Sequence, residues 1–293
     1  MNLKSTQYRG WSSALNPSWW ACWSIARTGL MLVLRRKLFW CLLALASLNF
    51  LFLFATIYLK AQIVAENPGF QRFLDQALSS VTGRGDTYRE FMFAQATVTM
   101  LMMAFAGSTL VGDDVRHGGL TFYLSRRIGR WHYLIGKMLA ISLLVSLTTT
   151  LPALILYFQY GFLTDSTTYF RENWTILRGI LGYGLAMSIT LSLVLIALAT
   201  WLPLTVQLVM AWVGIFAFLP LIGGLLREAL GNRQWLLLAL WRDLRLIGLW
   251  CFGAVSEDAD AKLLVPAMCV VVSVCVISLI AVLPRLRGSR VVS

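Results

Sequence analysis

The chain has few charged residues for its length. Only 13% of its 293 residues are Asp, Glu, Lys or Arg, whereas 58% are hydrophobic. Soluble domains carry about 25% charged residues, so the composition argues against a soluble globular fold. Long uncharged runs are present instead, and a membrane-spanning helix needs ~20 mostly apolar residues. The composition therefore predicts an all-α integral membrane protein.

The chain also lacks the common motifs of enzymes. It contains no G-x-x-x-x-G-K-[ST] phosphate loop, no H-E-x-x-H and no G-x-S-x-G. The five cysteines have no zinc-ligand spacing, and the two histidines, His117 and His132, are expected to be surface residues of one loop. These absences predict a chain that is not an enzyme and that holds no catalytic residue, cofactor or metal ion.

Six runs are long and apolar enough to span a membrane. They cover residues 39–59, 91–111, 138–160, 179–201, 204–226 and 263–283. The fourth and fifth runs are separated only by Trp201–Leu204, where Pro203 is expected to end the helix. The predicted organisation is therefore a segment 1–38 with an amphipathic interfacial helix, a six-span domain 39–284 and a basic tail 285–293.

A seventh apolar segment, Trp235 to Val255, carries Arg242, Asp243 and Arg245 near its middle. Each charge at a helix centre costs roughly 2.5–3.5 kcal/mol on membrane insertion, so the segment is not expected to span. The sequence predicts an amphipathic helix in the interface instead. Its apolar side is expected to consist of Leu237, Leu240, Trp241, Leu244 and Ile247.

The basic residues fall on one side of this topology. The segment to residue 38 has six basic residues and no acid, segment 112–137 has five bases and two acids, and the tail has three bases. The three segments on the other side, 60–90, 161–178 and 227–262, have equal numbers of bases and acids. Because loops rich in Lys and Arg stay in the cytoplasm, both termini are predicted to be cytoplasmic. These bases are expected to contact membrane lipid, since no nucleic-acid-binding motif accompanies them.

The predicted spans contain no ionisable residue away from their ends. Ion-coupled pumps and intramembrane proteases usually need such groups inside the membrane, so both classes are disfavoured. If the chain moves a substrate uphill, another polypeptide is expected to supply the energy. The hydroxyl groups of the third and fourth spans are expected to bond to their own helices or to pack against neighbours. These residues are Ser142, Ser146, Thr148, Thr149, Thr150, Ser188, Thr190 and Ser192.

The most informative segment is the cytoplasmic loop 113–137. It begins with Asp113 and Asp114, turns at Gly118–Gly119 and continues into a short apolar helix, Leu120 to Ser125. The apolar side of this helix is flanked by basic residues, which suits binding in a groove on a cytoplasmic partner. The alternative interpretation is an ordinary basic loop at the membrane interface. The residues assigned to partner binding are Asp113, Asp114, Arg116, Leu120, Tyr123, Leu124, Arg126, Arg127, Arg130 and Lys137.

The order of residues in this loop resembles the permease subunits of ABC-2 type transporters. These carry an acidic residue after the second span, then a Gly-Thr/Ala-Leu step, a Leu-Ser-x-Pro-x-x-Arg string and a Gly-Lys pair before the third span. The matching residues here are Asp113-Asp114, Gly119-Leu120, Tyr123-Leu124-Ser125-Arg126, Arg130, Tyr133 and Gly136-Lys137. The chain departs from the pattern at Arg127, where proline is usual. Segment 25–37 resembles the family's interfacial helix.

The resemblance implies a six-span permease in a bacterial inner membrane, working as an exporter. It implies a homodimer or a heterodimer with a paralogue, and a separate ATPase that holds ATP and Mg²⁺ and binds the short coupling helix of loop 113–137. It further implies that Asp113 and Asp114 orient the loop, with Arg116 or Arg130 as the expected ion-pair partner. The alternatives from other classes are a structural or scaffold subunit that transports nothing and an ion-coupled carrier.

Overall fold

The computed structural model of the chain describes residues 17, 19–66, 83–117, 119, 129–164, 166–254 and 261–287. Within these ranges the backbone is mostly helical and contains no strand. Six helices are long and apolar enough to cross a membrane, which confirms the number predicted. In chain order, spans 1 to 6 are Lys37–Lys60, Gly85–Arg116, Arg130–Leu163, Trp174–Trp201, Thr205–Leu230 and Ala261–Arg285. The helices of spans 1 and 6 continue to Glu66 and Arg287.

The helices extend beyond several of the predicted ends. Span 2 begins at residue 85 rather than 91, and span 3 begins at residue 130 rather than 138. Hydropathy marks the stretch that matches the hydrocarbon layer, whereas a helix continues as long as its backbone hydrogen bonds do. Glu90 and Lys137, which the sequence analysis placed in loops, therefore belong to the helices of spans 2 and 3.

Three spans depart from regular α-helical geometry. Span 2 contains a π-helical segment at Ser108–Gly112, between Gly85–Gly107 and Asp113–Arg116. Span 5 contains a second, Gly214–Phe218, between Thr205–Val213 and Leu219–Leu230. Span 3 consists of Arg130–Thr148 and Thr150–Leu163, which meet at Thr149. Short π segments within α-helices are frequent at functional sites, so the one beside the 113–137 loop is of interest.

An N-terminal helix, Trp19–Leu34, precedes span 1 in the segment where an interfacial helix was expected. One of its faces is buried, with the i, i+3, i+4, i+7 spacing of an amphipathic helix. This face consists of Cys22, Ile25, Ala26, Gly29 and Val33. It packs against the start of span 3, where a Cβ added to Gly136 would lie 2.9 Å from Ile25 Cβ. Trp40 Nε1 donates to the Leu34 carbonyl across the break between the N-terminal helix and span 1.

Spans 2, 3 and 4 form the centre of the bundle, whereas few residues of spans 1, 5 and 6 are buried. Small residues let the helices approach closely. A Cβ added to Gly107 of span 2 would lie 2.6 Å from Leu195 of span 4, and one added to Gly184 of span 4 would lie 2.2 Å from Thr150 of span 3. The three central spans are therefore held in close contact.

One end of the bundle, called here the loop end, contains the described ends of the 113–137 loop. The predicted break between spans 4 and 5 is confirmed here, since the helices end at Trp201 and begin again at Thr205. A Cβ added to Gly112 would lie 2.8 Å from the Pro203 carbonyl oxygen, so this connection packs directly on span 2. The Arg285 guanidinium lies 4.6 Å from the centroid of the Trp201 ring, which places the end of span 6 at the same end.

At the opposite end, two elements after span 5 form what we call the 233–251 hairpin. Gly231, with a φ of 66°, ends the span 5 helix in the left-handed conformation that glycine favours. A 3₁₀ helix, Arg233–Leu238, and an α-helix, Leu240–Cys251, follow. A further short helix, Ser166–Glu172, lies between spans 3 and 4, and its Tyr169 hydroxyl donates to the Gly83 carbonyl over 3.0 Å.

The hairpin folds back along the spans. A Cβ added to Gly223 would lie 2.7 Å from the Trp235 carbonyl oxygen, so the 3₁₀ helix runs back beside span 5. The Trp241 ring stacks on Phe93 of span 2 with centroids 5.0 Å apart. Phe93 is eight residues from the start of span 2 at Gly85, which corresponds to ~12 Å of helix. The predicted apolar side of this segment faces the protein, since Leu240, Leu244 and Ile247 are buried and Leu237 and Trp241 are half-buried. Its position at a membrane interface stays a prediction.

Candidate functional site

The candidate site is the base of the 113–137 loop, where spans 2 and 3 meet at the loop end. Span 2 reaches it through the π-helical segment, which shifts the backbone hydrogen-bond register just before Asp113. Leu110 lies within this segment, and its carbonyl accepts a hydrogen bond from the ammonium group of Lys137. A side chain of span 3 is thus bonded to the backbone of span 2.

Lys137 also forms an ion pair with Asp114. Its Nζ lies 2.6 Å from Asp114 Oδ2, and the two side chains are 4% and 20% exposed. Moving a lysine out of water is costly unless its charge is compensated and its hydrogen bonds are made. Here a carboxylate and a carbonyl supply that compensation, so Lys137 can be buried next to span 2.

Tyr133 is the third member of the site. It lies one helical turn before Lys137, on the same face of span 3. Its hydroxyl donates to Asp114 Oδ2 over 3.1 Å, and Lys137 Nζ lies 5.5 Å from the centroid of its ring. The Tyr133 side chain is buried. Two residues of span 3 therefore bind the same carboxylate oxygen of span 2.

The N-terminal helix covers this contact. A Cβ added to Gly29 would lie 3.0 Å from Leu110 and 3.6 Å from Ala140, so the helix packs at the seam between spans 2 and 3. Trp19 makes an edge contact with His132, with ring centroids 6.2 Å apart. The base of the loop is consequently enclosed by three helices.

The structure brings together only part of the set of residues assigned to partner binding. Asp114 and Lys137 are paired, Asp113 and Arg130 are half-buried, and Arg116 is exposed where the helix of span 2 ends. Asp114 pairs with Lys137 rather than with the expected Arg116 or Arg130, because the adjacent ends of spans 2 and 3 bring the Lys137 side chain to it. The coupling-helix residues Leu120, Tyr123, Leu124, Arg126 and Arg127 lie outside the described residues.

Replacing Tyr133 with phenylalanine should lower the free energy of unfolding by about 1–2 kcal/mol, since hydrogen bonds to charged groups are stronger than neutral ones. The loss should appear in equilibrium unfolding in mixed detergent micelles. Tyr183 provides the matched control, because its buried hydroxyl has no hydrogen-bond partner among the described residues. Tyr183→Phe should be neutral, and an equal loss in both variants would contradict the role given to the Tyr133 hydroxyl.

A second cluster of charges joins the hairpin to span 2. Arg245 Nη2 donates to both carboxylate oxygens of Glu90, over 2.9 and 3.0 Å. Glu90 also accepts from Arg89, which pairs with Asp86 over 2.8 Å. The sequence analysis did not assign these residues to a site, since Glu90 and Arg245 are 155 positions apart and only the folded hairpin joins them.

The hydroxyl groups of spans 3 and 4 behave mostly as predicted. Thr148, Thr149 and Ser192 bond to carbonyls three or four residues earlier in their own helices. The buried hydroxyls of Thr150 and Ser188 have no hydrogen-bond partner among the described residues. Thr148 also shares a 2.7 Å hydrogen bond with Thr99 of span 2, so this hydroxyl links two spans.

The six apolar helices define a multi-pass α-helical membrane protein. No family model matches the chain, and no curated protein matches it. Among the described residues, no three His, Cys, Asp or Glu side chains are grouped so that they could hold a metal ion.

Proposed function

We propose that the chain is the transmembrane permease subunit of an ABC transporter and acts in export. In this proposal a separate ATPase subunit binds loop 113–137 in the cytoplasm and supplies the energy. The observation that carries the proposal is the Asp114–Lys137–Tyr133 contact at the base of that loop. It supplements the resemblance of the loop to those of ABC-2 permeases.

The contact provides a mechanical route from the loop to the spans. A force on a flexible loop would be lost in the loop itself, whereas this loop begins and ends at residues bonded to each other and packed under the N-terminal helix. Spans 2 and 3 belong to the buried centre of the bundle. A push on the loop by a closing ATPase would therefore move both spans and the N-terminal helix together.

The exposed apolar surfaces fit a permease that works as a dimer in lipid. Exposed apolar side chains form a stripe along one side of span 5, at nearly helical spacing. The stripe consists of Val206, Met210, Phe218, Leu221 and Leu225. In the proposed function, lipid and a second permease copy or paralogue share such surfaces. The bacterial inner membrane and the cytoplasmic position of both termini belong to the same proposal.

The deciding experiment is affinity purification of the full chain from its native membrane in mild detergent, with mass spectrometry of the bound proteins. We expect a P-loop ATPase with the ABC signature to remain bound to the unmodified chain. Tyr123→Asp and Leu124→Asp should lose it while still inserting into the membrane, because a charge is placed on the apolar side of the loop. The control is Asn232→Asp, an exposed position at the opposite end whose side-chain oxygen accepts from the Gln234 amide.

Two outcomes would contradict the proposal. If the unmodified chain retains no ATPase and is found only with assembly or division proteins, the scaffold alternative is correct. If Tyr123→Asp and Leu124→Asp retain as much ATPase as Asn232→Asp, the loop is not the binding site.

A further inference from the structure

The 233–251 hairpin contains a carboxylate that the proposed function does not use. Asp243 is fully buried, and neither of its carboxylate oxygens has a hydrogen-bond partner among the described residues. Buried carboxylates are normally paired or hydrogen-bonded, because an isolated ion in an apolar environment is very costly. This side chain therefore needs a ligand that removes its charge.

The surroundings of Asp243 are apolar on the face of the helix that it shares with its neighbours. Leu246 and Ile247, three and four residues further on, share its helix face and are buried in apolar clusters. Leu246 packs with Leu263 and Ala267 of span 6. Asp243 thus lies on the face of the hairpin helix that is buried among apolar side chains.

The nearby charged groups are engaged elsewhere. Arg245 binds Glu90, and Arg89 binds Glu90 and Asp86. The adjacent Arg242 favours the charged form of Asp243, but burial outweighs it and raises the pKa of Asp243 to about 7. Further titratable groups lie on the elements packed against the hairpin. They include Tyr88 of span 2, Arg178 and Tyr183 of span 4, Arg227 and Glu228 of span 5, Lys262, Cys269, Cys275 and Arg285 of span 6, Arg233 of the 3₁₀ helix and Cys251 of the hairpin helix itself.

The hairpin that carries Asp243 packs against span 4 through aromatic side chains. A Cβ added to Gly248 would lie 2.9 Å from the Tyr183 ring, and one added to Gly179 would lie 2.6 Å from the Phe252 ring. These contacts, like the Trp241–Phe93 stack, bury apolar surface on the element that carries Asp243, and burial favours the neutral form of its carboxyl group. An ionised Asp243 would favour any arrangement in which the hairpin moves away and water reaches the carboxylate.

We propose that Asp243 is a proton-binding site that controls the 233–251 hairpin, which stays packed among spans 2, 4, 5 and 6 when Asp243 is protonated and is released when the proton is lost. The ligand is a proton from the compartment at the hairpin end. The inference goes beyond the proposed transport function and does not depend on the ATPase, since it concerns the permease alone. It also places an ionisable group inside the bundle, where such groups usually have a function.

The sign of the pH dependence follows from linkage. The released hairpin exposes Asp243 to water, where its pKa is close to the ordinary 3.8, and the packed hairpin binds the proton more tightly. Raising the pH therefore favours release by up to tenfold per pH unit between these two pKa values and has no further effect above the higher one.

Cys251 provides a native reporter of hairpin release. Its Sγ would lie 3.5 Å from a Cβ added to Gly182, so it packs against span 4. The other four cysteines are replaced by alanine, and the full chain is reconstituted in liposomes. The rate of Cys251 labelling by a membrane-impermeant maleimide is then measured from pH 5 to pH 9. Asp243→Asn is the matched control, because asparagine mimics the neutral side chain and thiol ionisation affects both proteins equally.

We expect the ratio of the two labelling rates, unmodified Asp243 over Asp243→Asn, to rise with pH up to about 7 and then to level off. A ratio that does not change with pH would overturn the proposal. Infrared titration of the chain with unmodified Asp243 gives a second readout that needs no folded variant. A protonated-carboxyl band should be present at pH 5 and lost at pH 9, and its absence at pH 5 would also overturn the proposal.

Discussion

Replacing Lys137 with methionine should destabilise the protein by about 2–4 kcal/mol, the largest effect that we expect from a single side chain at the base of the loop. The variant leaves the Asp114 carboxylate without its cation and the Leu110 carbonyl without this donor. Asp114 is 20% exposed, so water compensates for part of the loss, and the expected effect is smaller than for a fully buried pair. Equilibrium unfolding in mixed detergent micelles measures it.

A double-mutant cycle separates the ion pair from general packing. Asp114→Leu combined with Lys137→Met should recover most of the lost stability, since an apolar pair of similar volume leaves no buried charge. Arg130→Met is the matched control, because Arg130 lies two turns earlier on the same helix and is only half-buried. Two results would contradict a stabilising ion pair. Arg130→Met could lower the free energy of unfolding as much as Lys137→Met does, or the effects of the Asp114 and Lys137 substitutions could be additive.

The same cycle has a functional consequence. If the loop transmits force through this contact, the double variant should be nearly as stable as the unmodified chain. It should nevertheless couple ATP hydrolysis to transport less well, because the apolar pair is less directional than the ion pair and the Tyr133 hydrogen bond. Transport and ATPase rates measured together on the purified complex test this expectation.

Gly223→Leu should release the 233–251 hairpin from span 5. The added Cβ would lie 2.7 Å from the Trp235 carbonyl oxygen and 3.5 Å from Leu238 Cβ, so the 3₁₀ helix must move. A backbone atom cannot rotate away as a side chain can, and overpacking of this kind costs roughly 1–3 kcal/mol or more. Faster labelling of Cys251 measures the release.

The neighbouring glycine supplies the control for this prediction. A Cβ added to Gly224 meets nothing within 4 Å, so Gly224→Leu adds the same side chain to the same helix without touching the hairpin. Its labelling rate should equal that of the parent chain. Equal rates for the Gly223 and Gly224 variants would show that the hairpin is not held against span 5 at this position.

The six spans and the break at Pro203 could be predicted because they depend on local properties of the chain. A run of ~20 apolar residues is costly anywhere except in a membrane or a core, and proline lacks the N–H that a continuing helix needs. The ends of spans 2 and 3 could not be predicted in this way. Lys137 is hydrophilic by every local measure, and only the facing Asp114 and Leu110 carbonyl make its burial tolerable.

The 233–251 hairpin shows the same limit more clearly. The charges of Arg242, Asp243 and Arg245 argue from sequence that this segment is not a seventh span. The six spans found in the structure agree with that prediction. The contacts of the segment could not be predicted, because Arg245 binds Glu90 of span 2 and the Trp241 ring stacks on Phe93. These partners are far apart along the chain, and periodicity within one segment carries no information about them.

The sequence by itself determined the membrane class, the number of spans and the bias of basic residues, since each follows from composition within a window of about one helix length. Tertiary structure alone decided which charges are buried, because the free energy of a buried charge depends on what faces it. Lys137 faces a carboxylate and remains an ion-pair partner at the base of the loop, whereas Asp243 faces apolar side chains and is left to bind a proton.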